Sequence, residues 1–199
     1  MMEKILWADY VKSKKNVLLK IVLPFVLVLA AYRFGMGSFA LTMVLIFTIV
    51  TGAGLKIVQL KTEGVFDRLI ASPLSKPRLF AEMSSMSIGL YVLQLLPTLF
   101  IGVYYNGANV FIFSLLAIAV VVLIGTLVGV HAKSFGQIHL NSLITVVPLA
   151  ALAMVPVWIS FLFPFIYISQ SVFSLEGILL SLGVILGLYG VLIADVSRL

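Results

Sequence analysis

The sequence predicts an all-α integral membrane protein with six transmembrane helices. Hydrophobic residues make up 62% of the chain and the mean hydropathy is +1.23, well above soluble globular usage. The apolar residues gather into runs close to the ~20 residues that a helix needs to cross a ~30 Å hydrocarbon core. Charged residues are only 10% of the 199 and fall near the ends of those runs.

The first run, 17–32, follows the Lys-rich VKSKKN. Its VLAAYRFG end is a poor cleavage site, and five further runs come after it, so it reads as an uncleaved first span. Ahead of it, KILWADYVK places Leu6, Trp7, Tyr10 and Val11 on one helical face. That pattern fits an interfacial helix over 1–16, and equally a basic anchoring flank. The next spans are 39–55, 83–105 and 110–131. Residues 140–175 carry no charge and hold prolines at 148, 156 and 164, and proline interrupts helices. One span over 140–158 is therefore expected, then a broken re-entrant segment over 159–176 on the extracytoplasmic side. The sixth span is 177–194.

Orientation follows from the rule that Lys and Arg of short loops remain cytoplasmic. With six spans and both termini inside, every basic residue except Arg33 falls on the cytoplasmic side. The net charge of +6 is thus a mark of topology, and no nucleic-acid partner is expected. The expected location is the cell (plasma) membrane, with lipids as neighbours.

Several chemistries are excluded or disfavoured. The chain has no cysteine, hence no disulfide and no thiolate nucleophile. It contains no Gly-Lys dipeptide, so the phosphate-binding G-x-x-x-x-G-K-[ST] loop is missing and no nucleotide site or other cofactor is expected in this chain. His131 and His139 lack metal-ligand spacing, so no metal or catalytic residue is assigned. The deep polar residues are uncharged (Thr48, Gln94, Ser114, Thr126, Thr145), which disfavours an ion-coupled carrier. Gln94, Thr98 and Thr48 either line a polar substrate path or satisfy neighbouring backbone groups. Gly125-x-x-x-Gly129 and Gly183-x-x-x-Gly187 allow close helix packing, within the chain or between subunits.

Charge is concentrated in a cytoplasmic loop, 56–82, between the second and third spans. Thr62 is expected to cap a short helix there, Glu63 suits its positive end, and Ser72-Pro73 closes it. At 100° per residue, Val65, Phe66, Leu69 and Ile70 share one arc, with Asp67 and Arg68 on the other side. Ser75 and Pro77 then open the third span. Such a short two-faced helix either rests on lipid or docks a partner.

The run TEGVFDRLIASPLSKPRLFAE resembles the cytoplasmic loop of ATP-binding-cassette (ABC) permeases of the type-two exporter family. The family's pattern there, E-G-(two residues)-[DE]-R-L-(two residues)-[ST]-P-[LI], is met by Glu63, Gly64, Asp67, Arg68, Leu69, Ser72, Pro73 and Leu74. Outside the loop the likeness is one of layout. The resemblance implies a single permease domain over 1–199 whose coupling helix, 63–74, seats in a cleft of a separate ATPase subunit. Two ATPase copies, which bind ATP and Mg, would serve two permease domains, either a homodimer or a heterodimer. Phe66, Leu69 and Ile70 would then pack against the ATPase, while Asp67 and Arg68 set register. The expected function is export of a substrate by alternating access. The alternative is a membrane scaffold that recruits a soluble protein through 60–82.

Overall fold

The computed structural model describes residues 14–71, 75–154, 163–170 and 173–196. Most of the expected interfacial helix, Ser72, Pro73, Leu74 and parts of the re-entrant segment lie outside the described residues. What is described is helical, with no strand. In chain order the helices are α1 (Lys14–Arg33), α2 (Gly37–Thr62), α3 (Val65–Ile70), α4 (Lys76–Asn106), α5 (Asn109–His131), α6 (Phe135–Met154), α7 (Phe165–Gln170) and α8 (Leu175–Val196).

Each of the six apolar runs lies on a helix, except for 155–158 at the end of the fifth, outside the described residues. Four helices, α2, α4, α5 and α8, are long and apolar enough to cross a membrane by length and composition. Two of them outrun the expected spans. The second continues through Lys56 and Lys61 to Thr62, and the fourth begins at Lys76. At 1.5 Å per residue the 26 residues of α2 reach ~39 Å, beyond a ~30 Å core. Much of the cytoplasmic loop expected over 56–82 is thereby taken up by the ends of these two helices.

The fifth helix is central, packed against α2, α4, α6, α7 and α8. Gly125 and Gly129 explain its approach to α2. A Cβ on Gly129 would lie 2.8 Å from the Gly54 carbonyl oxygen and from Ile57 Cβ, and one on Gly125 would lie 2.9 Å from Val50 O. Backbone meets backbone there, so this glycine pair serves packing within the chain. Gly183 and Gly187, by contrast, have nothing within 4 Å of an added Cβ.

The segment expected to be re-entrant contributes α7, entered at Pro164 and tucked against α2, α5 and α6. Phe165 and Ile168 are fully buried, and Tyr167 stacks on Phe113 with ring centroids 4.6 Å apart. Ser174 then caps α8, its hydroxyl accepting from the Gly177 N–H at 3.0 Å. At the end of the bundle away from α3, Asn106 of α4 donates to the Tyr32 hydroxyl and to Ser38 Oγ, joining α1, α2 and α4.

Candidate functional site

The α3 end of the molecule carries the loop residues. Thr62 does not cap α3. It is the last residue of α2, and its hydroxyl donates back to the Gln59 carbonyl at 2.8 Å. Glu63 accepts from Gln59 Nε2 at 2.9 Å. Gly64 then turns the chain with φ of +64°, a left-handed conformation that glycine adopts without Cβ strain. The helix that follows has six residues. Ser75 holds the N-cap position of α4 in extended backbone, but its hydroxyl makes no capping bond, and Pro77 lies in the first turn.

The apolar arc of α3 faces the chain's own bundle. Phe66 is only 3% exposed and meets Phe80 edge-on at 6.3 Å. Around them Ile57, Leu60, Leu79, Met83, Leu123, Val130, Leu192 and Val196 form an apolar plug drawn from α2, α4, α5 and α8. Leu69 and Ile70 are half-buried against this plug. Phe66 therefore anchors the knob to its own molecule. The outward side presents Glu63, Asp67, Arg68 and Ala71. Arg68 also folds back, donating through Nε to the Gly64 carbonyl at 3.0 Å and through Nη2 to that of Glu63 at 3.4 Å. It thus clasps the left-handed turn, while Glu63 and Asp67 remain exposed acidic groups. A shallow hollow of about 500 Å³ beside α3 is lined by Lys61, Phe66, Asp67, Ile70, Ala71 and Val130.

Two lysines fasten the roots of the knob. Lys61, at the end of α2, donates through Nζ to the carbonyls of Gly129, at 3.2 Å, Ala132, at 3.1 Å, and Val130. These are carbonyls at the C-terminus of α5, where a cation also meets the negative end of the helix dipole. The same ammonium sits 5.4 Å from the Phe66 ring centroid. Lys76, at the start of α4, donates to the Val196 carbonyl of α8 at 3.2 Å. Tyr189 of α8 returns the contact by donating to the Pro77 carbonyl. Between the ends of α5 and α8, His131 Nε2 lies 2.7 Å from Asp195 Oδ2.

The path candidates are placed differently. Gln94 is buried and donates through Nε2 to the Lys20 carbonyl of α1 at 3.4 Å. Pro24, inside α1, has no N–H for the carbonyl four residues earlier, which is that of Lys20. Gln94 supplies the missing donor, so it repairs a helix. Thr98 is fully buried with an unpartnered hydroxyl, and Thr48 is half-buried on α2. No hydrogen bond joins these three side chains.

The contacts of Lys61, Lys76, His131, Asp195 and Tyr189 escaped the sequence reading. Their partners lie far away in the chain, and only the general need of helix C-termini for cations hinted at the two lysines. No family model, curated protein or solved structure matches the chain.

Proposed function

We propose that this chain is the membrane-spanning permease subunit of an ABC exporter. In this reading it has six spans with both termini cytoplasmic in the plasma membrane. Two permease domains, identical or related, work with two ATPase subunits that bind ATP and Mg.

The observation that carries the proposal is the build of the knob. Its apolar side is locked into the ends of α2, α4, α5 and α8, while Glu63, Asp67 and Arg68 stay exposed. A helix that merely rested on lipid would turn its apolar arc toward lipid. A force on this knob would instead pass to four helix ends at once, through Phe66, Lys61 and Lys76. The loop pattern shared with type-two exporters supplies the kind of partner: an ATPase that engages the exposed face. The half-exposed Leu69 and Ile70 would add apolar contact at its edge.

The test is affinity purification of the intact protein with its cytoplasmic partner. Wild type should retain an ATP-hydrolysing subunit. Asp67→Arg should lose about tenfold or more in affinity, the effect of ~1.4 kcal/mol of unfavourable charge contact. Full retention of that subunit by Asp67→Arg and Arg68→Glu would remove the knob from the interface. A partner without ATPase activity would favour the scaffold reading.

A further inference from the structure

The contacts at the knob end close into a ring. Starting at α3, Lys61 joins the root of the knob to the end of α5. His131 and Asp195 join the end of α5 to the end of α8. Lys76 and Tyr189 join the end of α8 to the start of α4, the knob's other root. Inside the ring sits the apolar plug around Phe66 and Phe80. Among the described residues, the four helix ends that form the plug, those of α2, α4, α5 and α8, belong to the circuit.

The links are not equally strong. Lys61 spends all three of its N–H donors on carbonyls of one helix end. The Lys76 side is doubled by Tyr189. The α5–α8 link is one imidazole–carboxylate pair, with side chains 64% and 27% exposed. The two atoms stand 2.7 Å apart, but Asp195 Oδ2 makes no hydrogen bond of regular geometry among the described residues.

The helix on the far side of that link is the one best placed to move. Of the four long apolar helices, α8 is the least buried. Its fully buried residues are Gly177 and Ser181 near one end, and Leu192 and Val196 at the other. Between them, Gly183, Gly187 and Gly190 meet nothing. At the first end Gly177 is pressed by the Tyr167 ring, which a Cβ would strike at 2.4 Å. The eighth helix is thus fully buried only toward its ends, and between them it rests on the bundle through the partly buried Val184, Ile185 and Leu188.

We infer that His131 and Asp195 are positioning residues that latch α8 to α5, and that knob movement opens the bundle by parting this pair while Lys61 keeps α5 with the knob. The inference rests on the permease reading for its purpose, because an exporter must open toward the cytoplasm to load substrate. Its geometry stands on the chain alone. Opening would swing the α8 end away from the plug, about the Gly177–Tyr167 contact, and expose an apolar mouth between α5 and α8.

The absence of cysteine makes a distance measurement direct. Lys133→Cys and Val191→Cys, both at exposed positions, carry spin labels on the otherwise intact protein in lipid bilayers. Asp195→Asn should raise the longer-distance population about two- to fivefold, the ratio expected for losing one partly exposed side-chain contact. His131→Ala, at a largely exposed side chain, should do the same without a folding defect. The exchanged pair, His131→Asp with Asp195→His, should restore the wild-type distribution. In the complex with its ATPase, trapped with ATP and vanadate, the wild type should move toward the longer distance.

Unchanged distances in both single variants overturn the latch. So does an exchanged pair that behaves like the single variants. A wild-type distance that stays short in the trapped complex overturns its use in transport. Failure of any ATPase to bind wild type refutes the permease reading instead, and the distances on the chain alone still judge the latch.

Discussion

Lys61→Met tests whether the knob is fastened to the bundle as described. The substitution keeps an unbranched apolar stem and removes the ammonium from the carbonyls of Gly129, Val130 and Ala132. A hydrogen bond to a charged group contributes ~1.5–3 kcal/mol, so three in a dry site would reach several times that. Lys61 is only half-buried, and water would reach the carbonyls once the ammonium left. The partly buried helix-terminus value, up to ~2 kcal/mol, is therefore the better guide. Loss of the contact with the Phe66 ring adds ~0.5–1 kcal/mol. The expected cost is ~2–3 kcal/mol, read from reversible denaturant unfolding in detergent micelles. Lys61→Arg keeps the charge but offers a flat fork instead of three converging donors, so about half of the loss should remain. A Lys61→Met protein within ~0.5 kcal/mol of wild type would refute the reasoning, because that is the range of a surface change without structural consequence.

Gln94→Leu should cost ~0.5–1 kcal/mol by leaving the Lys20 carbonyl unpaired, and the cost should vanish in a Pro24→Ala background, where the new N–H at position 24 takes over; equal costs in both backgrounds would deny the repair. Gly129→Ala should destabilise by ~1–3 kcal/mol, since its Cβ would meet Gly54 backbone and Ile57, whereas Gly187→Ala should be neutral or slightly stabilising in the same unfolding assay. For orientation, single cysteines at Lys76 and Lys133 should be protected from a membrane-impermeant thiol reagent in intact cells, and one at Asn109 should be labelled; external labelling of Lys76→Cys would overturn the six-span topology.

Local structure was the most legible part of the sequence. Long apolar runs found their helices because length and hydropathy are properties of single segments, and Pro77 marked the start of α4 for local steric reasons. The helix ends were harder. Lys56 and Lys61 looked like loop residues by charge, yet lysine is a good helix former with a long side chain, and α2 carries both past the apolar run. The amphipathic arc of α3 was correctly grouped, but its direction was not encoded locally. Whether Phe66 meets a partner or Phe80 depends on how α2, α4, α5 and α8 converge. The role of Gln94 was readable in principle from Pro24, whose missing N–H leaves one known carbonyl unpaired. Nothing in the sequence aligned His131 with Asp195, because that contact exists only once α5 and α8 are packed.

The most direct test of the central claim is ATP hydrolysis by the purified complex, with its membrane subunit reconstituted in lipid bilayers. The account predicts that the complex hydrolyses ATP and that Asp67→Arg lowers the rate about tenfold at partner concentrations near the wild-type Kd, while membrane insertion and helix content are unchanged. If the rate is the same with Asp67→Arg as with wild type, the exposed face of the α3 knob does not carry the coupling.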